Sequence, residues 1–445
     1  MKESTKSPPF MVHKIFTDFK KPTQTLFKGM NSRAELLTTA ENSSNPTSQI
    51  ELMPALVLGQ VFATMPMYGV TSKKAKDLKF KWFDFRTLHT ILVMIGMFIM
   101  VVVCLKWSLA KITLTSAPGL GMVIFYVKGF VGLLYFLWLA RKWPALMVYW
   151  EKIENSLPSY SDPKQKISFS KIIGIMTFAI TASRLLQHIG IISLWMLRVQ
   201  YCRNSTNIES FFKITWKQVY SNDNYDGGIR GYFIEYLNIY CIIQSNYMEI
   251  FAIVISMCLA NRFKRFNLHL ERYKGMEMSS AFWIEQRLHF SNLTQLVAKV
   301  DQLISLMCSF ALSLSLYSII IQLSNCFQPQ RTVFEAIYYW YRLLVAISKT
   351  FLVFWTASQI NDESQKPAII LRSIPDGAYD SEAERFLEQV VKKKVGLTGL
   401  RFFYFTRPLM LSVVGTVLTF ELVLVQFRMM FPRPDDDFCG NSDND

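Results

Sequence analysis

The sequence predicts an all-α membrane protein: a seven-transmembrane-helix bundle with its N-terminus inside and its C-terminus outside. Three observations carry this reading. Hydrophobic residues make up 51% of the 445 positions and charged residues only 18%, against about 25% charged in a soluble domain. The apolar residues gather into runs of about 20, the length that crosses a hydrocarbon core of about 30 Å. Lysine and arginine are spread unevenly over the segments between those runs.

The spans fall, in order, at 88–108, 117–140, 172–197, 234–260, 301–325, 334–358 and 408–430. Each must be helical, because a backbone exposed to lipid has to satisfy its own hydrogen bonds. Residues 51–70 are apolar too, but Pro54, Gly59 and Pro66 make them a poor span and predict an interfacial or re-entrant segment. The first 50 residues are polar and show no cleavable signal pattern, so the first internal helix is expected to direct insertion. Four regions follow: a cytoplasmic tail (1–86), a six-helix ligand-binding bundle (87–380), an anchor helix with a pore-lining seventh helix (381–430), and an acidic outer tail (431–445). Residues 261–299 keep helical patterning between spans, and 381–400 are amphipathic. Both predict helices that project into the cytoplasm, where subunits meet.

Orientation follows from the basic residues. With the N-terminus inside, the inner segments hold 34 of the 48 lysines and arginines and the outer segments, with the outer span ends at Lys106 and Arg428, hold 10, as the positive-inside rule requires. The same distribution accounts for the net charge of +15 without nucleic acid, since no basic patch lies on a soluble domain. The longest outer loop carries the glycosylation sequon Asn204-Ser205-Thr206. Seven cysteines lack CxxC spacing, which excludes the common zinc and redox motifs. Cys202, Cys326 and Cys439 are disulfide candidates whose pairing is left open. No metal or cofactor is expected, and no HExxH, phosphate loop or nucleophile–base pattern suggests an enzyme.

Ionisable groups within spans are costly and mark sites. Lys128, Arg184, Arg342 and Lys349 are the four lysines and arginines away from the span ends, Lys106 and Arg428 each lying two residues from one. The outer half of the fourth span gathers Glu235, Tyr236, Asn238, Gln244, Asn246, Tyr247 and Glu249. The sixth brings Tyr338, Tyr339, Trp340, Tyr341 and Arg342, the fifth Tyr317 and Gln322, the third His188 and Trp195. Four helices thus place polar and aromatic groups at one depth, and all of them but Glu235, Asn238 and Tyr339 are the thirteen predicted binding residues. A sugar needs that mixture: carboxylates, amides and guanidinium groups for its hydroxyls, flat rings for its C–H faces. An aromatic interfacial belt with interhelical hydrogen bonds produces the same pattern, and for each single ring that alternative stands. Arg184 and His188 are equally readable as partners of Glu235 or Glu249, and Lys349 as a paired or snorkelling residue.

In the last span Thr416, Thr419, Val423 and Gln426 repeat at spacings of three and four, forming one mildly polar stripe. Such a stripe fits a pore lining with Val423 as an apolar interruption, and fits equally a packing face. Glu421 lies off the stripe.

The segment Thr419-Phe420-Glu421-Leu422-Val423-Leu424-Val425-Gln426-Phe427 resembles the closing signature of the insect gustatory receptors, its sugar-receptor clade above all. Gln359-Ile360-Asn361-Asp362, Gly396-Leu397-Thr398-Gly399-Leu400 and Met65-Pro66 with Gly69-Val70 resemble further segments of that clade, in the same order. The resemblance implies a tetrameric, ligand-gated, non-selective cation channel in the plasma membrane of taste-neuron dendrites. It implies a pore lined by the last helix, with Thr419, Gln426 and Phe427 matching its signature. Phe420 departs from the usual Tyr and lacks its hydroxyl. The partners implied are a mono- or disaccharide, permeant cations, membrane lipid, and copies of the chain or related receptors, as homotetramer or heteromer. A seven-helix G-protein-coupled receptor is the main alternative by helix count, but needs the opposite orientation. A transporter is the second, without an internal repeat to support it.

Overall fold

Helix boundaries follow capping residues and prolines. The computed structural model describes residues 48–111, 120–157, 168–203, 208–220, 228–328, 330, 332–375 and 380–430. Asn204, Cys439 and the acidic tail lie outside them. In chain order α1 is Ser48–Val61, α2 Phe85–Ala110, α3 Leu120–Asn155, α4 Phe169–Arg203, α5 Ile208–Thr215 and α6 Ile229–Glu271. They are followed by α7 Ser280–Cys326, α8 Val333–Gln365, α9 Pro367–Leu371, α10 Ser381–Lys392 and α11 Arg407–Met430. Asp84 caps α2 by accepting from the Arg86 amide at 3.1 Å, and Thr332 caps α8 by accepting from the Glu335 amide at 3.2 Å. Pro367 opens α9 at the position that spares a helix its unpaired amide.

Six helices, α2, α3, α4, α6, α7 and α8, are long and apolar enough to cross a membrane, which is the architecture of a multi-pass membrane protein. Each predicted span overlaps one helix, the seventh being α11 with its 24 residues. The bundle is apolar outward as well as inward. Leu88, Leu92, Ile95 and Ile99 of α2, and Phe178, Leu185 and Ile189 of α4, are exposed.

Helix α6 is the axis, apolar nearly all round between Ile250 and Ala260 and buried there on every face. It packs against α3 and α8, and less extensively against α1, α2, α4 and α7. Close approach is possible because Gly129 of α3 sits on Cys241; an added Cβ would stand 2.6 Å from its Sγ. Small residues serve this purpose between membrane helices.

With 43 and 47 residues, α6 and α7 are about 65 and 70 Å long at 1.5 Å per residue, roughly twice a hydrocarbon core. Their excess gathers at one end of the bundle with α9, α10 and an antiparallel hairpin of β1 (Thr398–Gly399) and β2 (Phe403–Tyr404). Phe266, Phe290 and Phe386 form an aromatic cluster that holds α10 to α6 and α7. The amphipathic stretch expected to run to residue 400 is helical only to Lys392. The backbone turns extended at Lys393, and the chain runs on into the hairpin. Asp301 of α7 pins that hairpin, accepting from the amide and the hydroxyl of Thr398, each at 2.7 Å.

Residues 51–70 lie within the bundle. Helix α1 continues through Pro54 and packs on α4 and α6 with Leu52, Ala55 and Leu56 buried. Its Glu51 lies 2.7 Å from Arg262 and 3.0 Å from Arg265, and Arg262 also meets Glu154 of α3 at 2.5 Å. Burial works against the Arg262 charge, but Glu154 and Glu51 hold its pKa above the ordinary arginine value.

Candidate functional site

At the end of the bundle opposite the hairpin, α3, α4, α6, α7 and α8 enclose a cavity of about 450 Å³, closed on one side by α5. That size lies within the range of small-molecule sites, about 300–1,000 Å³. Each helix contributes along one face. Helix α3 supplies Met122, Phe125 and Lys128, one turn apart, and α4 supplies Arg184, His188, Ile191 and Trp195. Glu235, Asn238, Ile242 and Ser245 come from α6, Tyr317, Ser318, Ile321 and Gln322 from α7, Tyr338 and Arg342 from α8. Spacings of three and four keep these side chains on the inward stripe of each helix.

A smaller chamber of about 30 Å³ adjoins the floor, lined by Lys128, Arg184, Asn246, Glu249, Ser315, Arg342 and Lys349 among others. Glu249 is the anion there. It accepts from Lys349 at 2.5 Å and from the Ser315 hydroxyl at 3.1 Å. Higher in the cavity, His188 Nε2 lies 3.3 Å from Glu235. Arg184 donates to Gln187 at 2.7 Å, and the Arg342 guanidinium stands 5.4 Å from the centre of the Tyr338 ring. Tyr338 is fixed in turn, donating to the Gln187 carbonyl at 3.1 Å over Gly190. The cavity therefore presents carboxylate, amide, hydroxyl and guanidinium groups with flat rings and aliphatic walls. This set can hydrogen-bond several hydroxyls of a small polyol and stack on its C–H face.

The structure brings eight of the thirteen predicted binding residues to these two spaces: His188, Trp195, Asn246, Glu249, Tyr317, Gln322, Tyr338 and Arg342. The other five do not line them. Tyr247 packs on Gly59 of α1, and its hydroxyl donates to Met65 Sδ at 3.6 Å. Gln244 is buried against Gly132 of α3. Tyr236 is half-exposed and bonded to His89 of α2 at 2.5 Å. Trp340 points outward, 48% exposed, and Tyr341 donates to the Ser183 carbonyl at 3.3 Å. For Tyr247 and Gln244 the cause is that α6 is covered on every face at their level, so residue type does not mark which face is wet; Tyr236, Trp340 and Tyr341 lie on faces turned away from the cavity. The α3 wall and α5 went unassigned in the sequence. Lys128, a lone cation in an apolar run, was the signal for α3; Glu235 and Asn238 stood in the polar group of α6.

In α11, Thr416, Thr419, Val423 and Gln426 are exposed in the single chain. The Thr416 and Thr419 hydroxyls donate to the carbonyls of Ser412 and Gly415, at 3.0 and 2.9 Å. The Phe427 side chain lies outside the described atoms. Phe420 is exposed.

A family model described as trehalose receptor matches residues 30–435. The Drosophila melanogaster gustatory receptor for sugar taste 64f is 31% identical over 84% of this chain and 79% of its own length. The same fly's gustatory receptor 5a for trehalose is 28% identical over 84% of each chain. Among solved structures, the insect olfactory receptor OR5 of Machilis hrabei has the same fold. It superposes with TM-score 0.63 at 14% identity, covering 89% of this chain and 99% of that one. Its complex with eugenol superposes with TM-score 0.62.

Proposed function

This chain belongs to the trehalose-receptor family of gustatory receptors, and from that premise we propose that it senses a sugar and opens as a ligand-gated cation channel. The observation that carries the proposal is the composition of the cavity. Trp195, Tyr317 and Tyr338 offer ring faces beside Glu235, Asn238, Gln322 and Arg342, which offer directional donors and acceptors. Sugar-taste relatives that cover most of this chain support a sugar as the occupant.

The fold suggests how occupancy reaches a pore. Helix α8 carries Tyr338 and Arg342 in the cavity and, at its other end, Asp362, which lies 2.8 Å from Arg407 at the start of α11. Arg407 also stands 5.1 Å from the Trp355 ring centre, and Phe354 packs on Phe405. A sugar that prefers one position of α8 would bias α11 through these contacts, and can do so only by its difference in affinity for the two states. In the proposed channel α11 is the seventh span. Four copies would surround the pore with Thr416, Thr419, Val423 and Gln426 facing it, in a plasma membrane with the N-terminus inside. Helix α11 leaves most of its described surface uncovered in the single chain, that stripe included, which leaves room for neighbouring copies.

Two substitutions test the proposal. Trp195→Ala and Arg342→Gln should raise the sugar concentration for half-maximal current while leaving single-channel conductance unchanged. Currents unaffected in dose dependence by either change would overturn the assignment of the cavity.

A further inference from the structure

The charges of the two connected spaces do not balance. Lys128, Arg184, Arg342 and Lys349 face Glu235 and Glu249. Lys349 is paired with Glu249, and Glu235 lies against His188. No carboxylate lies within ion-pair distance of Lys128, Arg184 or Arg342 among the described residues. All three line both the cavity and the small chamber beneath it. Arg184 has only the neutral amide of Gln187 and Arg342 only the Tyr338 ring and hydroxyl region; the buried Nε of Arg184 has no acceptor. Unpaired cations inside a membrane bundle are costly unless an anion accompanies them.

From this juxtaposition we propose that the small chamber binds one monovalent inorganic anion of chloride size between Lys128, Arg184 and Arg342. A space of about 30 Å³ admits a body the size of a water or a halide, since one water needs roughly 10–15 Å³ of such volume. It excludes a sugar or a carboxylic acid chain. The site has donors to spare: the ammonium of Lys128, the guanidinium groups of Arg184 and Arg342, and the hydroxyl of Ser318 on the same wall. Glu249 has its own counter-charge in Lys349, and Ser315 and Lys349 each donate to one of its oxygens, so one negative charge, that of Glu235, is left to balance three further cations. A bound anion would fix Arg342 at the cavity floor, so the site would set the shape that a sugar meets.

The proposal shares its cavity with the proposed sugar site, but the test is made without sugar, so either can fail while the other stands. The full-length receptor, purified in lipid nanodiscs, is unfolded thermally at one ionic strength as gluconate is exchanged for chloride or bromide. The unfolding midpoint should rise with halide and saturate. Lys128→Met should raise the half-saturating halide concentration by about tenfold, the loss of one charge-assisted contact. In bromide, an image of the wild-type receptor should show a density peak between Lys128, Arg184 and Arg342; this needs no variant to fold. Equal midpoints in gluconate and halide with no such peak would overturn the proposal. So would a halide response that persists unchanged in both Lys128→Met and Arg342→Gln.

Discussion

Arg407 Nη2 lies 2.8 Å from Asp362 Oδ2, and this pair joins the helix that floors the cavity to the helix with the exposed polar stripe. Both side chains are partly exposed, so the pair adds little to stability, within about 1 kcal/mol. In the proposed channel its role is to couple the two helices. Asp362→Asn and Arg407→Gln should each lower the maximal sugar response with little change in thermal unfolding. The charge-swapped double variant should restore the response in part, as a double-mutant cycle of currents would read.

Glu249 and Lys349 form a pair of another kind, enclosed between α6 and α8. Removing one partner leaves a buried charge uncompensated, at a cost of about 3–5 kcal/mol. Glu249→Gln should therefore destabilise the receptor and reduce its amount at the cell surface. Glu249→Gln combined with Lys349→Met should recover most of that loss. Surface labelling and thermal unfolding of the three variants decide it.

The hairpin depends on Asp301, which accepts two hydrogen bonds from Thr398 at 2.7 Å each. Hydrogen bonds to a charged acceptor contribute about 1.5–3 kcal/mol each. Asp301→Ala should speed amide hydrogen exchange over 397–405 while leaving the cavity residues of α4 and α6 protected. Unchanged exchange in the hairpin would contradict this assignment.

The hairpin end should be sensitive to acid. Burial, with the nearby charges of Arg272 and His289, lowers the His269 pKa from 6.5 to about 4. The unfolded chain therefore binds a proton that the folded one does not, between those two values. Stability contributed at this site is present above about pH 6.5 and is lost as pH falls toward 4. Hydrogen exchange near 262–273 should rise over that window, and His269→Gln should flatten the rise.

The helices were legible because hydropathy and length are local properties. Spans such as 88–108 and 334–358 fall inside α2 and α8 without help from tertiary structure. The site was legible in depth but only partly in direction. His188, Trp195, Tyr338 and Arg342 lie on helices with one wet face, so their type revealed their place. Tyr247 and Gln244 lie on α6, where every face is covered, and nothing in the sequence separates a residue facing α1 or α3 from one facing the cavity. The matched segments acquire physical reasons. Thr398 of the Gly-Leu-Thr-Gly-Leu segment binds Asp301, Asp362 holds Arg407, and Met65 receives the Tyr247 hydroxyl. Partners at such sequence separations cannot be read from one chain.

The most direct test of the central claim is current from excised membrane patches that carry this chain, free of cytosolic G proteins, exposed to a panel of mono- and disaccharides. The account predicts that at least one sugar opens a cation current in the patch, with Gln426→Ala altering conductance or gating more than the effective sugar concentration. Patches in which the chain is present at the surface and no sugar evokes current would contradict it.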